Sequence, residues 1–420
     1  MTGTMRRILV ALAGAALALA ATATRAQAGE TVRVAFIDPL SGLLGPVGNN
    51  QIRSFQFIVD LANKENWAPG VKFEIVPFDN KLSPQESLTV FKSATDQGIR
   101  YIVQGNGSGV ALALSDAVTK YNERNPGKEV VFINYAAVDP DLTDSKCSFW
   151  HFRMDANSDM KMEALTSYMA ENKAIKNVYL INQDYSFGHQ VRRAAREYLA
   201  RKRPDIQIVG DDLHPLAKVQ DFAPYVAKIR AASADTVVTG NWGSDLALLI
   251  KAARDSGLDV NFYTYYAGTT GVPTAMGAAG AERVRLVSYW TPNTEKFAGE
   301  SLVRDFKARF NDDYYTLATY HAFKLLAEGI KKAKSTDPVK VAFAMEGARF
   351  QSINGEVEMR ASDHQMQQVL YISSWQKADG KLVKYDQENT GYGWRTERML
   401  PAYIAARPTS CNMQRPPKAQ

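Results

Sequence analysis

The chain has 420 residues, with 50 Lys and Arg against 44 Asp and Glu. The formal charge of +6 falls to +3 once Arg6, Arg7 and Arg25 of the N-terminal segment are set aside, which excludes the strongly basic balance of a nucleic-acid binder. About 390 residues beyond that segment exceed what one core supports, so two lobes are expected, and two cysteines are too few for a metal cluster.

The chain opens as a secretory signal. Arg6 and Arg7 form a basic start, "ILVALAGAALALAATA" an apolar run, and "AQA" ending at Ala28 a small-residue cleavage site. The run from Ile8 to Ala23 is about 16 residues of mostly Ala, short of the roughly 20 that span a bilayer. Residues 1–28 are therefore expected to be removed on export to the periplasm. In that oxidising compartment Cys147 and Cys411 read as a disulfide joining the C-terminal tail to the middle of the chain.

After the signal, β-branched runs alternate with amphipathic segments. Strands are expected at "TVRVAFID", "VKFEIVPFD", "IRYIVQG" and "EVVFINYAA", then at "NVYLINQDY", "IQIVGDDL", "ADTVVTGN", "VNFYTYYA" and "VRLVSYW". Helices are expected between them, among them "NQIRSFQFIVDLANKE", "PQESLTVFKSATDQG", Ala156 to Ala174 and "SDLALLIKAARDSG". Apolar strands separated by helices indicate an α/β fold with parallel sheets covered on both faces. The rhythm breaks once, through Cys147 and "FWHFRMD", which suggests a passage from a first sheet to a second. Later "ESLVRDFKARFN", "LATYHAFKLLAEGIKKA" and "DPVKVAFAMEGA" read as helices, and "GEVEMRASDHQMQQVLYISSWQ" as short strands before a polar, Pro-rich tail. The basic stretch Arg192 to Arg203 reads as a solvated helix face.

Ligands of such sheets bind beyond the carboxyl ends of the strands. There the sequence places "GNGSG" (Gly105 to Gly109), whose glycines suggest a nucleotide loop. The spacing is G-x-G-x-G, however, and Val110 stands where the third fingerprint glycine belongs. No G-x-x-x-x-G-K-[ST] loop and no G-x-S-x-G elbow occur. The five histidines, at 151, 189, 214, 321 and 364, are too far apart in sequence for a zinc motif, so neither a metal nor a cofactor is expected. His189 follows "SFG" at a strand-to-helix turn, where a solvent-facing residue and a base are both readings. Asp184, Asp211, Asp212 and Asp245 fall at strand ends and read as caps or turn residues. The remaining strand-end residues, Tyr185, Phe187, Asn241, Trp242, Tyr265 and Tyr266, suit binding better than bond-making.

"VRVAFIDPLSGLLGPVGNNQIRSFQFIVDLAN", "GSGVALALSDAV", "AAVDPDLT", "NQDYSFG" and "SADTVVTGNWGSDLALLIKAARDSGL", in that order, resemble the Leu/Ile/Val-type periplasmic solute-binding proteins of ABC transporters. The resemblance covers the mature chain and implies two Rossmann-like lobes joined by a three-strand hinge, with no catalysis. Lobe 1 would hold residues 29–149 plus 292–363, and lobe 2 residues 150–291 plus 364–420. The hinge would run near "FWHFRMD", "RLVSYWTPN" and "QVLYISSWQ". A monomer would capture a small solute and pass it to a membrane permease. Ser108 and the backbone of Ala136, Ala137 and Val138 would hold its anionic end, Tyr185 or Phe187 would cover it, and Asn241 or Trp242 would lie opposite.

The sequence departs from the family at "FYTYYAG". Amino-acid-binding members carry an acidic residue there to pair with the α-ammonium, and this chain has Tyr265 and Tyr266. Two ligands follow from that departure: an organic or aromatic carboxylate stacked on the aromatics, or a branched-chain amino acid with Asp184 or Asp245 as the replacement acid. An exported two-lobe α/β enzyme and a ligand-sensing domain are the alternative classes.

Overall fold

The computed structural model describes residues 29–404 and 406–418, and the expected signal at 1–28 lies outside them. Strands β1 (Glu30–Asp38), β2 (Val71–Asp79), β3 (Tyr101–Gln104), β4 (Val131–Asn134) and β5 (His151–Arg153) form a parallel sheet in the order β2-β1-β3-β4-β5. Helices α1 (Gly45–Lys64), α2 (Pro84–Asp96) and α3 (Ser108–Arg124) connect the first four strands. Strands β3, β4 and β5 are buried along their whole length, as apolar runs between two helical layers require.

The chain then passes through α4 (Ser158–Met169) into a second sheet. It contains β6 (Asn177–Gln183), β7 (Gln207–His214), β8 (Thr236–Thr239), β9 (Asn261–Thr264), β10 (Val284–Ser288), β14 (Leu370–Lys377) and β15 (Tyr392–Leu400). Their order is β15-β14-β10-β9-β8-β6-β7, parallel from β7 to β10 and antiparallel at β14 and β15. Helices α5 (Ser186–Lys202), α6 (Ala223–Ala231), α7 (Gly243–Asp255) and the short α8 (Val272–Met276) lie between the parallel strands. The chain returns through α9 (Glu300–Phe310), α10 (Ala318–Ala333) and α11 (Pro338–Met345) to a small antiparallel sheet, β11 (Arg349–Ser352), β12 (Gly355–Met359) and β13 (Met366–Gln367). No helix among the described residues is long and apolar enough to cross a membrane.

Two crossings between the sheets are sewn together by buried polar groups. Arg153, fully buried at the end of β5, donates from its main-chain N to His364 O at 2.9 Å and from Nε to Gln365 Oε1 at 2.7 Å. Gln365 Nε2 in turn donates to Asp155 O at 2.9 Å, and Gln368 Nε2 to Met154 O at 2.6 Å. The guanidinium also donates to the main-chain oxygen of Asp139 and to the Thr143 hydroxyl, so its N–H groups are satisfied by neutral oxygens, and burial lowers its pKa to about 10.

The Cys147–Cys411 disulfide is present, with Cα atoms 5.7 Å apart and the cysteines 264 positions apart in sequence. It anchors a strap. Beyond β15 the tail lays Arg407 3.3 Å from Glu163 of α4, donates from Thr409 Oγ1 to Thr143 O at 2.8 Å, and pairs Arg415 with Glu346 at 2.9 Å. The basic face of α5 is neutralised locally: Arg192 and Arg196 meet Asp211, Arg193 meets Asp159, and Arg201 and Lys202 meet Glu163.

Closing so long a loop restricts the unfolded chain strongly. The Cys147→Ser/Cys411→Ser variant is expected to lose about 2–4 kcal/mol of unfolding free energy in urea titration. Unchanged stability would show that the tail's ion pairs suffice.

Candidate ligand site

The first wall of the site is built on Asp38, the last residue of β1. Its carboxylate is completely buried and accepts from Gly105 N at 2.9 Å, Asn106 N at 2.8 Å and the Tyr135 hydroxyl at 2.6 Å. Burial pushes Asp38 up to about 7 against the pull of these donors. The "GNGSG" loop is thus pinned by an internal carboxyl group. Gly107, at φ +86°, then turns the chain into α3, a backbone conformation that favours glycine.

The turn after β4 is fixed in a similar way. Asn134 Oδ1 accepts from Ala136 N at 3.2 Å and Ala137 N at 2.8 Å. These two N–H groups are therefore engaged within the protein. What remains for a solute is the Ser108 hydroxyl, whose oxygen accepts from Asp139 N at 3.2 Å and whose proton stays available, together with the first-turn N–H groups of α3. That helix has neither a side-chain cap nor an acidic residue in its first turn.

The second sheet supplies the facing wall. Helix α5 starts at Tyr185, again with no side-chain cap and no acid in its first turn. Trp242 Nε1 donates to the Tyr185 hydroxyl at 2.9 Å and orients that ring. Phe187 sits at the centre of an aromatic cluster, 5.9 Å from Tyr185, 5.8 Å from Tyr265 and 5.9 Å from Tyr266 between ring centroids. A Cβ on Gly188 would lie 1.8 Å from Gln183 O, so only glycine lets α5 start this close to β6.

These walls enclose one cavity of about 1210 Å³, its open mouth included. Ser108, Ala136, Ala137, Val138, Tyr185, Phe187, Trp242, Tyr265 and Tyr266 all line it. Its lips touch: a Cβ on Gly243 at the start of α7 would fall 2.6 Å from Leu44 Cδ2 at the start of α1.

Asn241 is not in the wall; its amide is turned to His214 Nε2 at 2.8 Å. Neither proposed replacement acid lines the cavity. Asp184 pairs with His189 at 2.9 Å, both about half exposed, and this answers the question of the histidine in favour of a surface contact. Asp245 accepts from Gln183 Nε2 at 2.8 Å and Ala217 N at 2.9 Å. Asp211 and Asp212 lie within β7 and join ion pairs instead of capping a helix.

The sequence reading names none of the four charged residues in the cavity wall: Asp313, which pairs with Lys307 at 2.6 Å, Asp386, which accepts from Gly391 N at 3.0 Å, and Asp155 after β5 and Lys161 in α4, which meet at 2.7 Å with each side chain 1% exposed. Lys161 Nζ also lies 4.4 Å from the Tyr266 ring centroid. Burial raises the carboxyl and lowers the ammonium, and their mutual contact opposes both shifts. One signal was available: Lys161 lies between Met160 and Met162 with Ala164 and Leu165 following, so no face of that turn is wholly polar.

An enclosed, aromatic cavity between two α/β layers whose lips meet defines a solute-binding protein of the two-lobe class. A sequence model of the periplasmic binding protein family matches residues 31–381. The "Leu/Ile/Val-binding protein homolog 4" of Brucella abortus (strain 2308) is 32% identical over 416 residues, 96% of this chain and 97% of that one. The closed crystal structure of the leucine-, isoleucine-, valine-, threonine-, and alanine-binding protein from Brucella ovis matches with a TM-score of 0.81 at 30% identity, covering 92% and 100% of the two chains. A solute binding protein of an ABC transporter from R. palustris, solved in complex with benzoate, shares the fold with a TM-score of 0.77 at 19% identity, covering 91% and 99%. The chain belongs to the type I periplasmic binding proteins of the branched-chain amino acid family.

The elevated carboxyl of Asp38 has a consequence for stability. Its unfolded value is near 3.8 and its folded value about 7, so between those pH values the native state keeps a proton that the unfolded chain releases. Rising pH across that window therefore removes stability, on the order of 4 kcal/mol in full, with no further change above it. Asp38→Asn is expected to remove this slope. Denaturant titrations of both proteins from pH 4 to 8 check it, and parallel profiles would contradict it.

Proposed function

We propose that the mature chain, residues 29–420, captures a small carboxylate-bearing solute in the periplasm and delivers it to the membrane permease of an ABC transporter. The observation that carries this reading is the convergence of α3 and α5, from opposite sheets, on one aromatic cavity with their first turns uncapped. Free N–H groups and the positive ends of two helix dipoles suit an anion, and a buried carboxylate needs such donors. Ser108 adds a hydroxyl donor beside them. Phe187, Tyr185, Tyr265 and Tyr266 would pack against an apolar body of branched-chain or small aromatic size. The lobes built on the two sheets would open and close about the strands near Arg153, Ser288 and Leu370, a hinge movement that a transporter can read. The disulfide supports an oxidising compartment, and the relatives are named as binding proteins.

Thermal-shift and calorimetric titration of residues 29–420 with Leu, Ile, Val, benzoate and 4-methylpentanoate, and with benzamide and 4-methylpentanamide as carboxylate-free analogues, is the test. A bound solute at 100 times its Kd should stabilise the fold by about 2.7 kcal/mol. Ser108→Ala is expected to weaken binding by about 10- to 100-fold, the worth of a hydrogen bond to a charged group. Preference for carboxylate-free analogues, or indifference to that substitution, would overturn the reading.

A further inference from the structure

The Asp155–Lys161 pair lines the cavity with hydrogen-bonding capacity unused. Asp155 Oδ2 accepts from Lys161 Nζ at 2.7 Å and from the Tyr266 hydroxyl at 3.3 Å, whereas Oδ1 is buried with no hydrogen-bond partner among the described residues. Among the described residues Lys161 Nζ donates to Asp155 and to the Tyr266 hydroxyl, at 3.3 Å, which leaves one of its three N–H groups for another acceptor. A free acceptor and a free donor thus stand side by side. The Tyr266 hydroxyl, 3.5 Å from Ala136 O, places them next to the turn that adjoins Ser108.

Three kinds of group could meet this pair. An ammonium would use Oδ1, but it would sit beside Lys161, and the carboxylate's charge is already balanced, so the desolvation of the ammonium would go largely uncompensated. A second carboxylate would find the Lys161 N–H and be repelled by Asp155. An uncharged group that both donates and accepts satisfies both open valences and adds no charge to the cavity.

We propose that Asp155 and Lys161 together select the group next to the solute's carboxylate, favouring a hydroxyl over an ammonium, so that the preferred solute is a 2-hydroxy acid with an apolar body. The assignment rests on the reading that the carboxylate lies at α3 and α5. In it Asp155 and Lys161 are specificity residues, and the aromatic cluster holds the remainder of the solute.

A matched series separates the possibilities: 2-hydroxy-4-methylpentanoate, leucine and 4-methylpentanoate, titrated calorimetrically into residues 29–420. The hydroxy acid is expected to bind at least about tenfold tighter than either of the others, one well-made hydrogen bond to a charged partner. Lys161→Met frees the carboxylate for an ammonium, and leucine should then overtake the hydroxy acid. Should the lone buried carboxylate impair folding, Asp155→Asn/Lys161→Met restores neutrality, and there leucine should remain the weaker ligand. Leucine binding tighter than the hydroxy acid to the unaltered protein, or an order unchanged by Lys161→Met, overturns the assignment while leaving the carboxylate reading standing. Binding of none of the three overturns both.

Discussion

A buried carboxylate at the end of the first strand organises the ligand-facing side of the first sheet. Asp38 draws two consecutive loop N–H groups and a tyrosine hydroxyl onto itself, and the side chains of Asn106, Gln51 and Tyr135 close a buried network around it. The loop cannot move away from β1 without leaving the buried carboxyl group and its donors unpaired in the interior, which is costly. Because the loop is fixed, α3 must start where it does, and its free N–H groups are preorganised toward the cavity. Preorganised donors need no rearrangement when a solute arrives, which is how a small site gains affinity.

The second sheet answers with a different device. Its side of the cavity is aromatic, and the rings are held by the tight start of α5 at Gly188 and by the Trp242–Tyr185 contact. Each wall carries one uncapped helix start, and the second adds the aromatic surface, so under the proposed function neither wall alone would enclose a solute. The crossing near Arg153 is stiffened by its link to Gln365, so bending is confined to short stretches next to well-packed strands. The C-terminal strap, covalently fixed at Cys147, adds a further tether between α4 and the region of α11.

Much of this architecture is legible in the sequence, for physical reasons. The expected strands from "TVRVAFID" to "VRLVSYW" all form, because doubly covered parallel strands must be continuously apolar. The strand at Tyr392–Leu400 was read as tail: it is a sheet edge, carries Arg395, Glu397 and Arg398, and has little to distinguish it from a loop. Most of the expected lining residues do meet in one cavity, since the carboxyl ends of parallel strands gather whatever follows them. Asn241 did not follow the rule because its neighbour Trp242 occupies the wall while its own amide satisfies His214. The engagement of the Ala136 and Ala137 N–H groups by Asn134 is likewise invisible in a one-dimensional pattern. Asp155 and Lys161 were missed because each, taken singly, reads as a helix-start acid and a surface lysine. Only the fold brings the two together out of water.

The central claim is that the uncapped starts of α3 and α5 receive the solute's carboxylate when the lobes close. Hydrogen–deuterium exchange with and without a saturating carboxylate addresses it directly, read on peptides spanning residues 106–112 and 184–190. Strong slowing in both peptides together is the expected result, since their N–H groups would become hydrogen-bonded in a closed, dry cavity. Slowing at the lips near Leu44 and Gly243 with both helix starts unchanged would contradict the account, placing the carboxylate elsewhere in the cleft.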